Sequence, residues 1–142
     1  MGRYRSLRGR DVTVSDRIDT RLAGSERFAE VSIRPSYALD SVVAGYGMRY
    51  FPAAVERAYL RIRWFENNDF NLHYSEQYDD GDQWECRWDR HPSRHNTREY
   101  FHPPPDAATP GMDETNPADW HDVLTEVLRA LDERSRHSGL TE

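Results

Sequence analysis

The stretch YLRIRWFENNDFNLHYSEQYDDGDQWECRWD, residues 59–89, decides the fold of this chain. Leu60, Ile62 and Trp64 alternate with Arg61 and Arg63. Phe70, Leu72 and Tyr74 alternate with Asn71, His73 and Ser75. Trp84, Cys86 and Trp88 alternate with Glu85, Arg87 and Asp89. Successive strand side chains point to opposite faces, so this period of two marks three half-buried strands with one wet face. The segments between them, ENND (66–69) and DDGD (79–82), supply the Asn, Asp and Gly that tolerate positive φ in tight turns. The three strands are therefore expected to form an antiparallel meander over 59–89.

An apolar sheet face must be covered, and the cover is legible downstream. NPADWHDVLTEVLRALDER (116–134) offers Asn116 as a cap, Pro117 in the first turn, and Asp119 and Asp122 near the positive end of the helix dipole. Trp120, Val123, Leu124, Val127, Leu128 and Leu131 fall on one stripe, which predicts a helix over 117–135 packed on the Leu60, Leu72, Trp84 face. Upstream, SDRIDTRLAGS (15–25) reads as a short helix with Ser15 as cap and Gly24 as stop. RFAEVSI (27–33) and YALDSVVAGYG (37–47) read as two further strands. Residues 1–12, with Arg3, Arg5, Arg8 and Arg10, read as a flexible terminus. Residues 90–117 read as a His/Pro-rich loop, and the tail after Arg134 as frayed. There is no internal repeat and no domain boundary. The expectation is one α+β domain spanning 1–142: an antiparallel meander, a C-terminal helix on its apolar face and a short N-terminal helix.

All 19 basic residues are arginine, and 25 acidic residues leave a formal net charge of −6. An acidic, lysine-free chain reads as halophilic or GC-rich in origin, with carboxylates keeping the surface hydrated in high salt. Such a chain gains little from bulk charge on nucleic acid and would rely on stacking and hydrogen bonds. One cysteine, Cys86, excludes an internal disulfide; its place on the apolar side of a strand makes it a core residue. No apolar run approaches the roughly 20 residues of a membrane span, and the Arg-rich start lacks a following apolar segment. A soluble, cytoplasmic protein is expected.

The segment CRWDRHPSRHNTREYFHPPP (86–105) concentrates three histidines, four arginines and four prolines. It continues the strand whose wet face carries Glu85, Arg87 and Asp89, beside Arg61, Arg63, Asn71 and His73. An ordinary salt-bridged wet face is the plain reading of these residues. Metal binding is the first chemistry to consider, because His91 and His95 are four apart. Pro92 opposes the helix that spacing would need, so neither a metal nor a cofactor is expected. The second is metal-independent phosphodiester cleavage. It needs a base, an acid and cations for the charged transition state. His91, His95, His102, Arg87 and Asp89 form the candidate catalytic set. Arg94, Arg98, Arg61 and Arg63 are candidates to hold phosphate, with Tyr100 and Trp88 to stack bases. The third is docking of a partner protein through Tyr100, Phe101 and the prolines.

The order of these features resembles a known family. A Y…S…Y.DG…RWD run, then a histidine- and proline-rich HP..H…FHPPP stretch, then a helix, is similar to the TumE-like toxins of toxin–antitoxin pairs. The resemblance covers residues 59–134. Its carriers are Tyr74, Tyr78, Asp79, Asp80, Gly81, Arg87, Trp88, Asp89, Pro92, His95, Phe101, His102 and the closing helix. The adjacent histidines of bacterial members are spread here over His91 and His95, and only His102 stands in the later histidine cluster. The resemblance implies a small cytoplasmic toxin, encoded beside a helix-turn-helix antitoxin that neutralises it by direct binding. It carries no catalytic residues with it; RNA as the target is an analogy with other toxins of this size. The leading expectation is a toxin acting as a ribonuclease through the 87–102 segment. The alternative is a non-enzymatic binding or regulatory protein that docks a partner through the same loop and the C-terminal helix.

Overall fold

A computed structural model describes residues 5–6, 9–91 and 99–140. The elements are β1 (Arg5–Ser6), α1 (Val12–Ala23), β2 (Phe28–Arg34), β3 (Ala38–Leu39), β4 (Ser41–Tyr46), β5 (Val55–Trp64), β6 (Phe70–Tyr78), β7 (Gln83–Arg90), β8 (Glu99–His102), β9 (Met112–Asp113) and α2 (Trp120–Leu140). Seven strands form one sheet in the order β2-β4-β5-β6-β7-β8-β9, every neighbouring pair antiparallel. β1 pairs in parallel with β3. The meander is β5-β6-β7, and its two turns contain Asn68 at φ +69° and Gly81 at φ +91°. The α+β reading holds, with both helices in place.

One sheet face is dry. Leu60 and Ile62 of β5, Phe70, Leu72 and Tyr74 of β6, and Cys86 and Trp88 of β7 are buried there. Ile18 and Leu22 of α1 and Val123, Leu124, Val127 and Leu131 of α2 complete the same core. Each such aliphatic side chain stabilises the fold by roughly 1.5–3 kcal/mol when taken fully from water. Trp64 stacks on Phe70 with centroids 5.0 Å apart.

Glu76 also points into this face and is 2% exposed. It survives burial because every lone pair has a donor. The Tyr74 and Tyr78 hydroxyls donate to it at 2.6 and 2.8 Å, and Arg134 of α2 adds two charge-assisted bonds at 3.0 and 2.8 Å. The Arg134 guanidinium lies 3.4 Å over the Trp84 ring. The far end of α2 is thus fastened to the sheet by a buried ion pair. Its near end is held by Arg90, which donates to the Pro117 carbonyl at 3.0 Å and sits over Phe70.

Three local expectations are corrected. α1 starts at Val12, not at Ser15, because the Asp11 carboxylate accepts the Val14 N–H at 2.9 Å and outcompetes a serine; Ser15 is buried inside the helix. α2 starts at Trp120, with Asp119 accepting the His121 N–H at 3.1 Å while the Asn116 N–H is taken by Glu99, and it runs on to Leu140, past Arg134 where the tail was expected to fray. The 90–117 segment is not all loop: β8 extends the sheet by pairing with β7, and β9 pairs with β8. Within the terminus read as flexible, Arg10 pairs with Asp40 at 2.7 Å.

Candidate active site on the polar sheet face

The strand registers lay three polar rows across the open face. Arg61, His73, Arg87 and His102 stand opposite one another on β5, β6, β7 and β8. The next row is Arg63, Asn71, Asp89 and Tyr100; the row on the other side is Tyr59, Ser75 and Glu85. Side chains directly opposite lie about 5 Å apart, so the first row would be a line of cations repelling one another. The acids that relieve it come from the flanking rows, on the diagonals.

At the β7–β8 end the match is complete. Asp89, 4% exposed, accepts from Asn71 at 2.6 Å and from Arg87 Nε at 3.1 Å, and its Oδ2 lies 2.9 Å from His102 Nε2. His102, 6% exposed, has Nδ1 at 2.9 Å from the Ala108 carbonyl, which can only accept, so Nδ1 carries hydrogen. Nε2 then donates to Asp89 when the ring is charged, or accepts from Arg87 Nη2 at 3.2 Å when it is neutral. The chain after β8 closes over this cluster: Glu85 N–H donates to the Pro105 carbonyl at 2.8 Å and Ala107 N–H returns to Glu85 at 3.1 Å. Gly111 presses on the imidazole so closely that a Cβ there would sit 2.9 Å from its Cε1. His102 and Asp89 are enclosed; Arg87, about a third exposed, is the member of the cluster that faces outward.

In the middle, His73 Nε2 lies 2.7 Å from Glu85 Oε1. The Glu85 carboxylate is the more exposed partner, and His73 Nδ1 is buried with no hydrogen-bond partner among the described residues. His73 therefore donates from Nε2 and holds the carboxylate toward solvent. The Tyr59 ring meets His73 edge-on at 6.4 Å.

At the β4–β5 end the arginines exceed the acids. Asp40 is shared by Arg10 at 2.7 Å and Arg63 at 3.0 Å. Burial would raise its carboxyl, but hydrogen bonds from both guanidinium groups outweigh this and hold it below the ordinary range. Arg61 has no acid left: its Nε is buried without a hydrogen-bond partner, and among the described residues no carboxylate pairs with it.

Of the residues named from sequence, Arg87, Asp89 and His102 converge, and Arg61 and Arg63 share their face. Tyr100 borders the face, its ring stacked on His91 at 5.4 Å. Trp88 points the other way, into the core, where it packs on Phe101; it is not available to stack a base. His95, Arg94 and Arg98 lie outside the described residues. The His73–Glu85 pair was not singled out as a site. The signal for it was present: the DDGD turn sets Gln77 opposite Gln83, which puts Ser75 opposite Glu85 and His73 opposite Arg87. Among the described residues, the group whose ligand atoms approach closely enough for a metal ion is Asp119, His121 and Asp122, all exposed and away from this face.

The family model described as Toxin TumE matches residues 16–135, which takes in most of both helices, the whole seven-stranded sheet and every residue of the three polar rows. The chain belongs to the TumE toxin family. It is the toxin component of a toxin–antitoxin system and has an antitoxin as its partner. No curated protein and no solved structure matches the chain. Among the described residues, no helix of this toxin is long and apolar enough to cross a membrane.

Proposed function

We propose that this toxin cleaves RNA without a metal, on the polar face between Arg61 and Arg87. Arg61 carries the reading. A half-buried guanidinium with an unbonded Nε and no acid partner is costly unless an anion completes it. It stands in register with His73 and, one strand further, Arg87, so a phosphate over His73 would meet a cation on either side. Glu85, held outward by His73 Nε2–H, is the base placed to receive a 2′-hydroxyl proton. As that proton moves to Glu85, O2′ bonds to phosphorus and the P–O5′ bond breaks, leaving a 2′,3′-cyclic phosphate. The departing 5′-oxygen takes its proton from water at this open face. Arg61 and Arg87 stabilise the charge gathering on the phosphoryl oxygens. His102 and Asp89, being enclosed, position Arg87 and do not touch the substrate. Of the cluster Arg87, Asp89 and His102, Arg87 is thus the member that contacts phosphate beside Arg61, and Arg63 supports the rim through Asp40.

The helix-turn-helix type of the antitoxin, a halophilic setting and a cytoplasmic location belong to the same proposal and rest on the resemblance and composition.

The test is incubation of the purified toxin with a labelled oligoribonucleotide in EDTA. Cleavage leaving 2′,3′-cyclic phosphate ends is expected from the wild type, with loss of about a hundredfold or more in Glu85→Gln and none on a 2′-deoxy substrate. Equal cleavage by wild type and a folded Glu85→Gln variant, or no cleavage by the wild type, overturns the reading.

A further inference from the structure

Beside Arg61 the polar face opens into a basin of about 490 Å³ between β4 and β5, lined by Arg34, Asp40, Arg57, Tyr59, Arg61 and Arg63 among others. In a chain of net charge −6, four arginines around one acid make a local excess of positive charge. Asp40 is already spent on Arg10 and Arg63. The exposed Arg57 guanidinium lies over the half-buried Tyr59 ring, 4.6 Å from its centroid, a cation–aromatic contact at the lip of the basin. Tyr59 in turn meets His73 edge-on at 6.4 Å, so the basin adjoins the proposed cleavage point.

We infer that this basin is a subsite for one nucleotide of single-stranded RNA, its phosphate on Arg61 and its base on the Arg57–Tyr59 stack. The inference rests on the cleavage reading for its choice of ligand and names the substrate form. Both parts of a nucleotide find their chemistry here: guanidinium groups for the phosphate, and a planar cation on an aromatic ring for the base. The basin is open and lies along a sheet face, which suits an unpaired base laid flat. A duplex keeps its base faces stacked on one another and could offer this stack nothing.

The experiment is fluorescence anisotropy of the full chain with a fluorescein-labelled 2′-O-methyl hexanucleotide, which carries the backbone charge and bases but has no free 2′-hydroxyl to react. The wild type should bind, and Tyr59→Leu and Arg61→Gln should each weaken binding by about tenfold or more with the unfolding midpoint unchanged. Arg61→Gln should flatten the slope of log K against log salt by about 0.7, the single-strand value per phosphate contact, whereas Arg57→Gln, which removes a base contact, should weaken binding with little change of slope. Arg129→Gln, on an exposed face of α2, should bind as the wild type does. A duplex of the same sequence should not compete. Absence of binding by the wild type, unchanged binding by Tyr59→Leu and Arg61→Gln, or equal competition by the duplex each overturns the subsite. The two readings separate cleanly. Cleavage that depends on Glu85 with Tyr59→Leu and Arg57→Gln binding normally removes the subsite and keeps the ribonuclease. Binding that depends on Tyr59 and Arg61 with no cleavage does the reverse.

Discussion

Replacing Arg134 by alanine tests how α2 is held to the sheet. The substitution removes two charge-assisted bonds to Glu76, at 3.0 and 2.8 Å, and the guanidinium packed 3.4 Å over Trp84. What remains is a carboxylate that is 2% exposed with two tyrosine hydroxyls for company. Breaking a buried pair by removing one partner costs about 3–5 kcal/mol, because the other charge is left uncompensated. Arg134 keeps about a quarter of its side chain in water and the two hydroxyls stay, so the lower end, about 3 kcal/mol, is expected. In a domain of this size that lowers the thermal midpoint by roughly 10 °C. Urea unfolding followed by far-UV circular dichroism should show the midpoint fall with the slope unchanged. The double variant Glu76→Gln/Arg134→Met removes both charges and keeps the bulk over Trp84, and should recover most of the loss. A cost below about 1 kcal/mol for Arg134→Ala, or a double variant as unstable as the single, would refute the argument.

Other expectations follow from the same contacts. Asp40 is held below its ordinary range when folded, so its stabilisation is complete above the unfolded pKa of about 3.9 and is lost as pH falls through the folded value. Asp40→Asn should therefore flatten the acid limb of a plot of midpoint against pH; an unchanged limb contradicts this. Burial pushes the Cys86 thiol up to about 12, so the native protein should resist a thiol reagent at pH 8 and react fully once unfolded. Stoichiometric labelling of the native state would contradict it. Gly111→Ala places a methyl 2.9 Å from the His102 ring and should cost about 1–3 kcal/mol, read by urea unfolding, because the ring is already fixed by Asp89 and Ala108. A cost near zero would mean that the covering loop yields freely.

The meander and α2 were legible because both patterns are long and regular: three alternating runs with turn residues between them, and a six-residue stripe at helical spacing. β8 was not legible. EYFH is four residues long and followed at once by three prolines, so a loop reading prevailed, yet Phe101 packs on Trp88 while Tyr100 and His102 join the polar face. Glu76 broke the alternation by placing a charge on the dry side, and its partner lies 58 residues downstream on another element, beyond any local pattern. Trp88 shows the converse: it follows the period-two rule faithfully, and that rule already sent it to the core and away from nucleic acid. The site was half legible. Residue type drew attention to Arg87, Asp89 and His102 because they crowd a short segment. The His73–Glu85 pair and the leftover charge on Arg61 emerge only when registers are laid side by side, since cross-strand diagonals have no sequence period.

The central claim is that the polar sheet face is the toxic site. Its most direct test is growth on inducing this chain without its antitoxin, beside Glu85→Gln at equal abundance. The account predicts that the wild type arrests growth and that Glu85→Gln, folded and equally abundant, does not. Arrest of equal depth by both would contradict it and move the toxic activity off this face.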